Sequence, residues 1–283
     1  MAAKFTSTTQ LAQQIPVFPL TGVILLPHSQ LPLNIFEPRY LAMIDHVLKH
    51  DRLLGIVQPN LAAQASGDDA DGHGPGHSSS HGQGEGHDHD GHGAHDGDAD
   101  AHGGDHDHAH ARSGEGDTAG IAVGTSPRGK SSLVRQTGSV GKLTGFQETD
   151  DGRYIISLDG VCRMSIVSEI EVETPFRQFE VDYGPFAHDL APAPDSASVD
   201  REHLLSTLKA YLTANGMSAD WSAIKQASTE FLVNTLSMIS PYGPEEKQAL
   251  LEARMLKERA DVLIALAEMD VASSDDGSNT TLQ

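Results

Sequence analysis

Two hydrophobic periods divide this chain. Up to about residue 183 the apolar positions come in short runs rich in Ile, Val and Phe, broken by Pro and Gly. Beyond residue 199 they recur at spacings of three and four. The first pattern is that of strands and the second that of helices. Strands are expected at 15–20, 31–36, 52–59, 138–147, 153–158, 161–169 and 177–183. Tyr154, Ile156 and Leu158 alternate with Ile155 and Ser157, as an antiparallel sheet with one buried face requires. The sequence DDG at 150–152 is a hairpin turn, with Asp-Gly supplying a positive φ. Asp159-Gly160 reads as a second turn between two strands. One early helix, about 38–50, opens at Pro38, which fits a first turn where no N–H is needed. It would bury Leu41, Ile44 and Leu48.

APAPDSAS at 191–198 has the composition of a linker. After it, a helix over about 199–214 would turn Leu204, Leu205, Leu208, Tyr211 and Leu212 inward and stop at Gly216. A second, about 218–239 with Ser218 as N-cap, would bury Trp221, Ile224, Phe231 and Leu232. A third starts at Pro244, with Glu245 and Glu246 where the helix dipole favours acids. Its stripe of Ala249, Ala253, Leu256, Ala260, Leu263 and Ala267 must pack on something. The first 13 residues and the tail VASSDDGSNTTLQ are polar. Strands first and helices afterwards is the order of an α+β fold.

Composition changes this picture in one place. Residues 66–117 are almost entirely Gly, His, Asp, Ala and Ser, and hold 13 acids against one arginine. They read as a long disordered insertion at a surface turn. The whole chain carries a net charge of −21, which counts against a nucleic-acid partner. There is no apolar run long enough to span a membrane and no signal-peptide pattern at the N-terminus. The single cysteine, Cys162, excludes an internal disulfide and reads as a small buried hydrophobe. A cytoplasmic protein is expected, and no pattern assigns an oligomeric state.

Two segments have chemical possibilities. The insertion carries eight histidines between His87 and His110, interleaved with aspartates. Imidazole and carboxylate suit Zn²⁺ or Ni²⁺, and His87, His89, His92, His95, His106, His108 and His110 are the candidate ligands. The spacing is not that of a defined site, and there is no cysteine or supporting shell. A tolerated loop is the competing reading. GTSPRGKS at 124–131 fits the phosphate-loop pattern, but no strand–loop–helix context surrounds it. The residues that follow, with their glycines and β-branched side chains, are strand-like. His28, His46, His50, His188 and His203 are scattered, and no nucleophile–base pattern appears, so no catalytic residue and no cofactor are assigned.

Three stretches are more distinctive than any of these: IPVFPLTGVILLPHSQLPLNIFEPRY (15–40), GSVGKLTGFQETDDGRYIISLDGVCRMSIV (138–167) and PEEKQALLEARMLKERADVLIAL (244–266). In this order they resemble the N-terminal substrate-binding domain of Lon proteases. The resemblance implies a PUA-like β-barrel followed by a small helical bundle. It sets expected boundaries of 14–190 for the barrel, 196–270 for the bundle and 271–283 for a disordered tail. It also implies binding of unfolded or damaged polypeptide, and a Lon-type protease as a possible partner. At about 100–200 residues per domain, the ATPase and peptidase of a full Lon protease have no room here. The chain is therefore expected to be a stand-alone, non-enzymatic version of the binding domain, and Glu37 and Arg39 of its EPRY motif to fix a strand–helix corner. The long insertion departs from the family pattern.

Overall fold

In the computed structural model, residues 5–60 and 133–277 are described. The His/Asp/Gly-rich insertion, its seven candidate metal ligands and the 124–131 motif lie outside the described residues.

The six strands are β1 (Gln14–Pro19), β2 (Gln30–Ile35), β3 (Leu53–Val57), β4 (Thr137–Glu148), β5 (Tyr154–Ile170) and β6 (Gln178–Asp182). They form one mixed sheet, with β1 parallel to β3 and every other pair antiparallel. The pairing runs β1–β3–β4–β5–β6 and returns to β1, so it closes on itself. β5 makes this possible by its length. Its first half pairs with β2 and its second half with β6, while β4 follows it along the other side.

β5 also corrects the reading of Asp159-Gly160 as a turn. Both residues lie inside the strand, and the segment before β2 crosses over Gly160. His28 N–H donates to the Gly160 carbonyl at 3.0 Å, and Gly160 N–H to the Ser29 carbonyl at 2.8 Å. A Cβ on Gly160 would stand 2.0 Å from the Leu26 carbonyl oxygen. The glycine is there for close approach of backbone, not for a bend. The DDG hairpin does turn where expected, between β4 and β5, with Gly152 at φ +78°.

β3 is buried along its whole length and separates two cores. Leu53 and Val57 point into the strand circuit with Ile15, Val17, Val140, Met164 and Phe179. Leu54 and Ile56 face α1 (Pro38–Lys49), which covers them with Tyr40, Met43, Ile44 and Val47. Leu41 and Leu48 pack only at the margin of that core.

Five helices follow: α2 (Arg201–Ala214), α3 (Trp221–Gln226), α4 (Thr229–Ile239), α5 (Pro244–Glu252) and α6 (Leu256–Gly277). All but α3 share a third core with Ile24 and Leu26, contributed by the segment between β1 and β2. In α2, Thr207 joins Leu204, Leu208 and Tyr211 in the interior, while Leu205 and Leu212 are half-buried. The single expected helix over 218–239 is two helices. Asp220 caps α3 and Ser228 caps α4. At the break, Arg201 donates to the carbonyls of Ile224, Lys225 and Ala227. Phe231 consequently faces outward, 54% exposed. The stripe from Ala249 to Ala267 is likewise broken, at 253–255. α6 continues to Gly277, into the segment expected to be a tail. The 191–198 stretch is held down: Ala193 N–H donates to Glu230, and the Asp195 carboxylate accepts from Lys257 N–H at 2.8 Å.

Candidate functional site

The most concentrated polar cluster joins β5 to the helices. The Arg163 guanidinium makes a two-pronged ion pair with Asp189, through Nε at 2.8 Å and Nη2 at 2.8 Å. Its remaining N–H groups donate to the carbonyls of Leu251, Ala253 and Arg254, where α5 breaks. His188 Nε2 lies 3.2 Å away. Arg259, also buried, donates to Asn234 Oδ1 and the Leu250 carbonyl, and Asn234 Nδ2 donates to the Pro27 carbonyl. Burial lowers the Arg259 pKa to about 10, which leaves it charged at neutral pH. The crevice beside these groups measures about 30 Å³, room for roughly one water. A cluster with its donors so fully committed is a lock between layers, not a place for a ligand. An arginine inside the apolar run VCRMSIV was the sequence signal for it.

The described histidines do not converge. His28 pairs with Glu230 at 2.9 Å and His203 with Glu268 at 2.9 Å. His46 stacks on His50 at 4.0 Å. Among the described residues no group of three or more His, Cys, Asp or Glu could hold a metal ion. The Cys162 thiol donates to the Phe186 carbonyl, and burial pushes its pKa up to about 12, so it is no nucleophile.

An open groove lies elsewhere, at the corner where β2 gives way to α1. Val17, Pro19 and Thr21 form one wall, and Arg39 and Tyr40 begin the helix above it. Pro175, Phe176 and Arg177 close the far side. Pro59 and Leu133 complete the rim, and the volume is about 290 Å³. Local structure sets each wall. Pro38 starts α1 and puts Tyr40 in its first turn, where the ring packs on Phe18 at 4.2 Å. Burial raises the Tyr40 phenol pKa. Val17 N–H donates to the Arg177 carbonyl at 3.0 Å, which fixes the 175–177 stretch against β1. The isolated bridge Pro59–Val134 holds the rim residues in place.

Both arginines of the groove are paired, but at the surface. Arg39 pairs with Glu37 at 2.8 Å, with side chains 56% and 44% exposed, and lies over the Tyr40 ring. Arg177 takes Glu169 in a fork at 2.6 and 2.7 Å, which lowers the Glu169 carboxyl pKa. Such pairs hold weakly and can exchange for a ligand's carboxylate or carbonyl. Arg39 and Tyr40 belong to the EPRY motif, which the sequence pointed to only as a strand–helix corner. Phe176, Arg177 and Leu133 carry no local sequence signal for the groove, because only folding brings them beside α1.

Residues 14–268 match the family described as the ATP-dependent protease La (LON) substrate-binding domain, and the chain belongs to that family. Two solved structures are similar to this chain. The N-terminal domain of the Mycobacterium avium complex Lon protease is 16% identical, with 90% of this chain and 98% of that one covered and a TM-score of 0.51. The Lon N-terminal domain protein from Xanthomonas campestris is 14% identical over the same shares, with a TM-score of 0.47. No curated protein matches. Among the described residues no helix is long and apolar enough to cross a membrane.

Proposed function

We propose that this chain binds unfolded or damaged polypeptide without catalysing a reaction on it, as an adaptor or modulator of ATP-dependent proteolysis by a Lon-type protease. The observation that carries the reading is the family match over residues 14–268. On the same reading the closed strand circuit is a PUA-like barrel. The docking surface we assign is the groove at Tyr40. Its volume accommodates one or two apolar side chains of an extended segment, with Tyr40, Phe176 and the prolines as walls. Arg39 and Arg177 at its edge supply donors for backbone carbonyls. Among the described residues β2 is a strand that pairs on one side only. Pro32 in the middle of that strand has no N–H to offer, so strand addition there is disfavoured.

A second reading assigns the chain to divalent-metal buffering through His87–His110, on the strength of that histidine density. Fluorescence anisotropy of labelled unfolded polypeptide separates the two. It is run on the full chain and on a form lacking 66–117, each with and without Zn²⁺. Saturable binding by both forms, indifferent to Zn²⁺, is the expected result. Absence of binding by both would overturn the polypeptide reading. Zn²⁺ uptake by the full chain alone would then favour the metal one.

A further inference from the structure

The short helix α3 has no evident reason to exist as core. None of its residues is buried. It is nevertheless fixed firmly: Asp220 caps its start, and the Arg201 fork holds its last carbonyls and Thr229 Oγ1. What this fixing achieves is the presentation of Trp221, the chain's single tryptophan, half-buried on the surface. Lys225 follows one turn later on the same face. Beside them, α2 presents Leu205, Ser206 and Lys209. Together the five side chains line a cleft of about 310 Å³.

Two cations line this cleft. The net charge is −21, yet among the described residues neither Lys209 nor Lys225 has a carboxylate within ion-pair distance. Of the carboxylates five residues to either side of Lys225, Asp220 is turned to the α3 backbone and Glu230 holds His28 and the Ala193 N–H. Among the described lysines Lys257 alone pairs with a carboxylate, and what sets this cleft apart is that two such ammonium groups line one cavity beside an indole. Two unpaired ammonium groups flanking an indole and a leucine are complementary to a carboxylate beside an apolar or aromatic side chain.

We propose that the Trp221 cleft is a second docking point, selective for acidic polypeptide segments in which Asp or Glu adjoins an aromatic or large aliphatic residue. The apolar side chain lies against Trp221 and Leu205, and the carboxylate reaches Lys209 and Lys225. This rests on the polypeptide-binding reading and adds a preference to it. A groove edged by exchangeable arginines accepts many sequences, and a separate lysine–tryptophan cleft would rank them by charge. A long polyanion such as RNA is disfavoured, because it would extend across the acidic remainder of the surface.

Trp221 is its own reporter. The full chain is titrated with a short Trp-free peptide of Glu, Phe and Gly, and its tryptophan emission is followed. The expected result is a saturable change, weakened by salt and absent with a matched peptide carrying Lys in place of Glu. The double variant Lys209→Gln/Lys225→Gln should lose about tenfold in affinity for the acidic peptide. Both lysines are exposed, so the fold survives the change, and a neutral unfolded polypeptide measured by anisotropy should bind as before. An unchanged emission, or an equal response to the basic peptide, would overturn the proposal. So would an equal response to a nucleoside monophosphate, which would give the cleft to a small anion. If the neutral polypeptide still binds, only the Trp221 assignment falls. If it does not bind either, the polypeptide reading falls with it.

Discussion

Arg163 and the pair Arg39/Arg177 are the same side chain put to opposite uses. Arg163 is 2% exposed, with Asp189 and three helix-end carbonyls as partners. Arg39 is 56% exposed and holds one neighbouring carboxylate. In the interior every donor must be matched, because an unpaired charge there cannot fall back on water. At the groove water is always an alternative partner, so the pairs are weak and exchangeable. The comparison separates residues that commit the fold from residues left free to meet a ligand.

The comparison breaks first at Arg163. Arg163→Met leaves the Asp189 carboxylate buried without its partner and should cost about 3–5 kcal/mol, read from urea unfolding. Arg163→Met combined with Asp189→Leu should recover most of that loss. A single-variant cost under about 1 kcal/mol would mean that the cluster is not a lock. Next comes Gly160→Ala, where the new methyl meets the Leu26 carbonyl. About 2–3 kcal/mol is expected, because the 24–29 segment must shift and it carries Ile24 and Leu26 into the helical core.

Lys247 offers a buried cation of a third kind. Its ammonium donates to the Ser237 and Met238 carbonyls, with no carboxylate among its partners. Burial lowers its pKa from 10.5 to about 8. Below pH 8 both folded and unfolded chains hold the proton, and the folded chain bears the cost of a buried charge. Between about 8 and 10.5 the folded chain releases the proton while the unfolded chain keeps it. Stability contributed by this group therefore rises with pH across that window. The two carbonyl contacts favour the charged form and limit the gain to about 1 kcal/mol. The difference between wild type and Lys247→Met over that range isolates it, and a flat difference would contradict it.

The smallest change in stability belongs to the groove. Arg39→Ala with Arg177→Ala should stay within about 0.5 kcal/mol of wild type. It should nonetheless weaken binding of unfolded polypeptide by about tenfold. Unchanged binding would move the docking surface away from Tyr40.

Much of the local structure was readable from spacing. The strands, the Pro38 helix start and the Asp-Gly hairpin follow from period, proline and glycine, which act within a few residues. The misreadings have long-range causes. Asp159-Gly160 looked like a turn because the crossing segment that needs the glycine lies some 130 residues earlier. The helices over 218–239 and 244–267 looked continuous because their breaks are made by the side chains of Arg201 and Arg163. Phe231 fitted an apolar face that does not exist once α3 and α4 separate. Of the groove, the EPRY motif marked only a strand–helix corner.

Taken alone, the sequence determined the order of elements and the family. Both are carried by periodicity, breakers or recognisable words in one line of residues. Only the tertiary structure decided where α5 stops, why Arg163 can be buried, and which residues stand across the groove from Tyr40. Those outcomes depend on hydrogen bonds and contacts between positions far apart in the chain, and no local pattern encodes the partner that will satisfy a buried charge.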